Sequence, residues 1–335
     1  MKTIFLFLIT EIILTIIPLL IIVAFFTLFE RKIMALAQRR RGPNTVGIFG
    51  ILQAFADGFK LFLKEIIIPF SSNYFVFILG PFLTFFLSLL NWIIIPFSLT
   101  TTFSLNYSLL YIYSISSLSI YGIILSGWSS NSKYSLLGAL RSTAQMISYE
   151  LLIGFIFLIL CLFINSFNLL EFIFIQEHCF LILPLLPIFC FFLIIILAET
   201  NRHPFDLPEA EAELVSGYNT EYSSVKFAFF FLGEYANMFL MSCLIVIFFL
   251  GGWFSIFSLL NQTIFIYSLK ILLLMFFFIW CRILLPRYRY DQLMRICWKI
   301  FLPSLFGLFI FYSYFLKIFN GLIESENLIS AIYFP

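Results

Sequence analysis

An all-α integral membrane protein with eight transmembrane helices is the fold class this sequence predicts, and three observations carry it. Hydrophobic residues make up 62% of the 335, with a mean hydropathy of +1.08. Charged residues are 11% of the chain, under half of the roughly 25% of a soluble domain. Apolar runs of about 20 residues, enough to cross a hydrocarbon core of roughly 30 Å, recur along the chain. The net charge of +2 supplies no basic field, which argues against nucleic acid as a partner. The 48 Phe exceed what packing demands, and codon bias in an AT-rich organelle genome would account for them.

The runs fall at 4–29, 75–98, 106–126, 146–165, 180–198, 228–250, 264–285 and 300–319. The first carries Glu11, lacks a small-residue cleavage site and is too long for a signal peptide. It also exceeds the bilayer's need, so a tilt is expected. Connections after the first, third, fifth and seventh runs hold 7, 2, 2 and 5 of the 19 Lys and Arg. By the positive-inside rule these face the cytoplasm or matrix, and both termini face the other side. Two glycosylation sequons, at Asn106 and Asn261, fall on that other side, which suits a protein outside the secretory pathway. With no linker or internal repeat visible, residues 1–335 read as a single polytopic membrane domain.

The six Cys contain no CxxC and no close pair, so no iron–sulfur or zinc site is expected. His178 and His203 flank the fifth run on opposite membrane faces and cannot share a haem. Neither a GxGxxG nor a Walker motif occurs. The expectation is a chain without its own metal, redox centre or nucleotide, and with no catalytic residue in the redox sense.

After the first run, Glu30, Arg31 and Lys32 lead through Arg41-Gly42-Pro43-Asn44 into an amphipathic segment at about 47–65. Ile48, Ile51, Leu52, Phe55, Phe59 and Phe62 form one apolar stripe, while Gln53, Asp57, Lys60 and Lys64 line the other face. That pattern predicts a helix at the membrane interface. The plain reading is a surface anchor. The sharper one is a wall for an amphiphile entering from lipid, with Asp57 and Lys60 as a charge pair at its polar end.

The connection at 199–222 carries six carboxylates, Glu199, Asp206, Glu209, Glu211, Glu213 and Glu221, against the single Arg202. Asp206 and Glu209 make a capping-box pattern, Pro208 fits a first turn, and Gly217 fits the end of a short helix. A charge run is usually a solvated loop. This one is short and breaks the positive-inside trend, and crowded acids of this kind suit a proton store. Glu150, Glu234 and Lys270 lie inside runs, where each is costly unless paired or hydrated. For Lys270, snorkelling to the outer headgroups is the alternative. The stretch Arg282–Lys299 reads as a cytoplasmic anchor able to dock an acidic surface.

These residues carry a resemblance. Glu30-Arg31-Lys32, Arg41 to Asn44, Phe55-Ala56-Asp57 through Lys64-Glu65 and Ala198 to Arg202 resemble one family. So do Pro204 to Val215, with its alternating acids, and Arg287-Tyr288-Arg289-Tyr290-Asp291-Gln292. The family is subunit 1 of proton-pumping NADH:ubiquinone oxidoreductase, respiratory complex I, and the match runs from about residue 11 to residue 303. The resemblance implies eight spans that form the membrane part of a ubiquinone chamber. It implies peripheral-arm partners that hold FMN, NADH and the iron–sulfur clusters, the last cluster standing at the quinone head. It also implies small membrane-arm partners and lipid, and a mitochondrial inner membrane with both termini in the intermembrane space. By the same resemblance Glu30, Arg31, Asp57 and Lys60 are quinone-binding, and Arg202 is a structural pairing residue. Glu150, Glu199, Asp206, Glu209, Glu211, Glu213, Glu221 and Glu234 are proton-coupling. Tyr218 stands where the family commonly has Phe. Two rivals stay open on the sequence: a quinone-less membrane anchor of a hydrogenase-type complex, and a stand-alone proton-coupled transporter. Against the transporter stand the missing inverted repeat and the placing of most acids in a loop.

Overall fold

The computed structural model describes residues 2–97, 105–177, 179–207, 216–255 and 264–318, excepting the side chains of 2–9 and 11. The described residues are helices and connections, without a strand. Among the described residues, seven helices are long and apolar enough to cross a membrane. In chain order the helices are α1 (Lys2–Ala37), α2 (Gln53–Leu63), α3 (Tyr74–Trp92), α4 (Ser108–Ser129) and α5 (Lys133–Ile164). Then come α6 (Leu169–Ile175), α7 (Leu186–Glu199), α8 (Ser224–Phe249), α9 (Ile264–Leu284) and α10 (Tyr290–Ile318).

The fifth predicted span, 180–198, is a shorter helix. Residues 181–185 are turns, and α7 starts beside Pro187 with only 14 residues. At 1.5 Å per residue it is about 21 Å long, short of the hydrocarbon core. Pro187 tolerates a first turn, where its missing N–H has no partner to lose.

Two predicted connections are helical instead. α1 continues through Glu30, Arg31 and Lys32 to Ala37. α5 starts at Lys133, so Arg141 rides on a helix rather than a loop. Polar residues do not stop a helix that has a cap: Ser132 accepts a hydrogen bond from the Ser135 backbone N–H, and Asn165 closes the far end in the left-handed region. α10 starts ten residues before its predicted span and widens into a π turn at Ile296–Phe301. Pro303 lies just beyond, and its ring crowds the carbonyl four residues earlier, which the wider turn relieves.

α8 is the most enclosed span and forms the axis of the bundle. α3 and α4 touch most closely at Gly80 and Gly122, where a methyl group on Gly122 would collide with Thr84 Cγ2. At the C-terminal end of α8, Gln176 Nε2 donates to the Ile247 and Phe248 carbonyls. Lys270 Nζ donates to the carbonyls of Leu250, Gly252 and Phe254 at 2.5, 2.9 and 2.6 Å. Lys270 therefore does not snorkel. It is buried, and it satisfies carbonyls that a helix end otherwise leaves orphaned in a medium without water.

Candidate functional site

The amphipathic helix is shorter than its sequence pattern. Gly47 and Gly50, both at positive φ, shape a 3-10 turn, and regular helix runs only over Gln53–Leu63. Its apolar stripe points away from the bundle, with Phe59 66% and Phe62 72% exposed. A stripe that exposed is stable facing lipid. Its other face turns inward: Asp57 accepts from Gln53 Nε2 at 2.9 Å and from Arg31 at 2.7 Å. Ser224 Oγ ties the far end to α8 by donating to the carbonyls of Leu61 and Lys64.

Between α1, α2 and α8 lies a cavity of about 560 Å³. Its walls are largely apolar, including Val23, Ala24, Phe227 and Phe231, and its charged lining is Glu30, Arg31, Asp57 and Arg282. The volume falls within the roughly 300–1,000 Å³ of small-molecule sites. Of the four residues expected there, Glu30, Arg31 and Asp57 line it. Lys60 does not: it is exposed on the outer side of α2.

Glu30 is buried at the cavity wall in a knot of three partners. Tyr235 Oη donates to it at 2.7 Å, Arg202 stands 3.5 Å away, and Arg282 forms a closer ion pair. The Arg202 guanidinium also lies 4.3 Å over the Tyr235 ring. Arg282 and Tyr235 escaped sequence reasoning. Arg282 reads as an ordinary charge at a span's cytoplasmic end. Tyr235 is one aromatic among many, although its place beside Glu234 puts it on a different helix face.

Arg202 belongs to the connection after α7, and Gln145 fixes that connection from α5 by donating to the carbonyls of Ala198 and Phe205 at 2.8 and 2.9 Å. Farther along, Asp206 is buried against His203 Nε2 at 3.1 Å and Arg287 at 3.5 Å. Phe205 stacks on Tyr288, and the Tyr288 backbone N–H donates to Pro204. The Arg287 segment thus clamps the acidic connection. Glu209, Glu211 and Glu213, with the short helix expected around them, lie outside the described residues. Glu221 is half-buried. Next to it Tyr222 stacks on Phe77 at 4.1 Å and donates to the Ser126 carbonyl; burial pushes its phenol above the ordinary value, so it serves as a fixed donor.

The remaining acids form a second, narrower region. Glu199 ends α7, is buried, and leaves its Oε2 without a hydrogen-bond partner among the described residues. It lines two small cavities of about 20 and 40 Å³. Glu150 on α5 is buried, has Ser116 Oγ at 3.5 Å, and lies within electrostatic reach of Glu199. Glu234 on α8 lines the 40 Å³ cavity with Glu199 and accepts from Tyr218 Oη at 2.6 Å. The structure therefore brings Glu150, Glu199 and Glu234 together, apart from the Glu30 knot.

Comparison with known proteins agrees across nearly the whole chain. A family model described as NADH dehydrogenase matches residues 10–313. NADH-ubiquinone oxidoreductase chain 1 of Chondrus crispus is 56% identical over 302 residues, covering 88% of this chain and 92% of that one. The chain of the same name in Arabidopsis thaliana is 55% identical over 299 residues, with 88% and 92% covered. An NADH-quinone oxidoreductase subunit from Paramagnetospirillum magneticum is 53% identical over 309 residues, with 90% of each covered. With a match that spans both the cavity and the buried acids, the chain belongs to the NADH dehydrogenase family, that of the chain 1 membrane subunits of complex I.

Proposed function

We propose that this chain forms the membrane part of the ubiquinone chamber of complex I and converts quinone reduction into protonation changes along its buried carboxylates. As a family member it is a multi-pass inner-membrane subunit of NADH–quinone oxidoreductase, with other complex I subunits as partners. The observation that carries the finer reading is the position of Arg202. Three residues after Glu199 in the acid row, it reaches Glu30 on the cavity wall, so one short segment connects the two regions.

The apolar walls suit an isoprenoid tail and the charged lining suits a polar head group. Reduction to the quinol takes two electrons and two protons. The electrons come from an iron–sulfur cluster in a peripheral-arm subunit, where FMN and the NADH site also lie. Arg31 and Asp57 orient the head by hydrogen bonding. Glu30 faces two guanidinium groups, so its charge is balanced in place. Protons withdrawn near the head leave negative charge, which favours protonation of the other buried acids. Glu199, Glu150 and Glu234 answer that change, and Asp206, Glu209, Glu211, Glu213 and Glu221 link them to the chamber. The Lys- and Arg-rich connections face the matrix, both termini face the intermembrane space, and small membrane-arm subunits cover the lipid-facing helices next to the acids.

The test is Glu199→Gln in the intact complex. NADH:ubiquinone turnover is expected to fall about tenfold, while NADH oxidation by a soluble artificial acceptor that bypasses the chamber stays at its normal rate. Equal loss of both activities, or retention of both, would overturn the reading. Its precondition is checked on a native gel of mildly solubilised membranes, where the 39.2 kDa chain must run in a large NADH-oxidising band.

A further inference from the structure

We propose that Tyr218 is a positioning residue for proton exchange in the acid row: its hydroxyl holds the Glu234 carboxylate toward the cavity shared with Glu199. The proposal rests on the coupling role given above to the buried acids, and it names a group that the role does not require.

The geometry is specific. Tyr218 sits in the 3-10 turn Gly217–Asn219, outside the spans, yet its side chain is fully buried and its Oη donates to Glu234 Oε1 at 2.6 Å. That is the length of a charge-assisted O–H···O⁻ bond. Two features set the turn. Gly217 takes a φ of 57°, which a side chain would strain. It also meets α5 backbone to backbone: a methyl group on Gly138 would lie 2.5 Å from Gly217 Cα and 3.0 Å from the Tyr218 nitrogen. The Phe230 ring then packs edge-on against Tyr218, 5.2 Å between centroids, and fixes the phenol's direction.

The surroundings give the bond a consequence. Thr84 of α3, Ser119 of α4, Met146 of α5, Glu199 and Asn201 from the end of α7, and Glu234 with Asn237 on α8 line one cavity with Tyr218. Among the described residues, Tyr218, Glu199 and Glu234 are its titratable groups. Glu199 Oε2 and Asn201 Oδ1 are buried without hydrogen-bond partners among the described residues. At about 40 Å³ the cavity has room for water, whose minimum is roughly 10–15 Å³. A proton crossing from Glu199 to Glu234 needs the acceptor carboxylate aimed at that space. The Tyr218 hydroxyl aims it, and it stabilises the ionised form by donating to it. Because Gly138 sets the turn, any shift of α5 against the turn changes this bond.

The experiment is Tyr218→Phe in the intact complex, with NADH:ubiquinone turnover measured across pH beside the artificial-acceptor activity. The expected result is unchanged acceptor activity, with one limb of the ubiquinone profile moved by about one unit to higher pH. One unit is the tenfold change that one lost charge-assisted bond produces. In a Glu234→Gln background, Tyr218→Phe should move the profile no further. Gly138→Ala, which displaces the turn and keeps the hydroxyl, should move the same limb in the same direction. An unmoved profile, or a uniform loss at every pH, would overturn the proposal. If instead Glu199→Gln and Glu234→Gln each leave ubiquinone turnover intact, the coupling role itself fails, so the two failures are distinguishable.

Discussion

Glu30 and Glu199 are both buried carboxylates near the ends of apolar helices, and their surroundings differ in one respect. Glu30 faces Arg202 and Arg282, with Tyr235 donating as well. Glu199 faces amides, hydroxyls and another acid, Glu150. A carboxylate between two guanidiniums is a structural charge, because removing it strands its partners in a low dielectric. A carboxylate among amides, hydroxyls and another acid can gain or lose a proton without stranding a guanidinium. The same contrast appears in the two cavities: the 560 Å³ space beside Glu30 fits a molecule, while the 40 Å³ space beside Glu199 fits water.

The hardest test of that contrast is Glu30→Gln. It removes the carboxylate that Arg202 and Arg282 share, at a cost of about 3–5 kcal/mol. The expected outcome is a steep fall in assembled complex on a native gel, with turnover lost in proportion. Normal assembly with lowered turnover would place Glu30 among the titrating acids instead. Next in size is Glu150→Gln, whose neighbour Ser116 is neutral. Here the complex should assemble in normal amount while ubiquinone turnover drops about tenfold. Loss of the complex would make Glu150 structural and break the distinction from the other side. Smallest is Arg31→Gln. Its pair with Asp57 is half open, with Arg31 50% and Asp57 34% exposed, and exposed pairs contribute about 1 kcal/mol or less. Abundance should be unchanged, and the KM for a short-chain quinone should rise by about threefold, with kcat little altered. A collapse of kcat would make this pair part of the reaction rather than of binding.

Some of this was legible in the sequence and some was not. Each of the eight apolar runs overlaps an observed helix, since a run that must be buried or face lipid declares itself in composition. In the fifth run the helix is shorter than the run because hydropathy does not see Pro187 restarting it. The starts of α5 and α10 failed because a capped helix carries Lys133 or Arg295 on an exposed face at little cost. Asp57 and Glu30, singled out by local pattern and family resemblance, both line the larger cavity. Lys60 was grouped with Asp57 by spacing and by resemblance, and the roughly 60° between positions three apart on a helix left it off the cavity lining. Lys270 read as functional or snorkelling, and proved to be a cap on a neighbouring helix.

What the amino-acid order determined by itself is the class of protein and its inventory of rare charges. Lipid tolerates only long apolar helices, so periodicity and composition are enough to read them. Which of those charges meet a counter-charge and which face amides and hydroxyls was decided by tertiary structure alone. Glu30 meets Arg202 across 172 positions and Arg282 across 252, contacts that arise only where α1, α9 and the α7–α8 connection converge. Glu234 meets Tyr218 because two glycines let a turn touch α5. Sequence spacing reports neighbours three or four residues apart on one helix. The dielectric and counter-charge around a buried acid come from other helices, so they follow from packing.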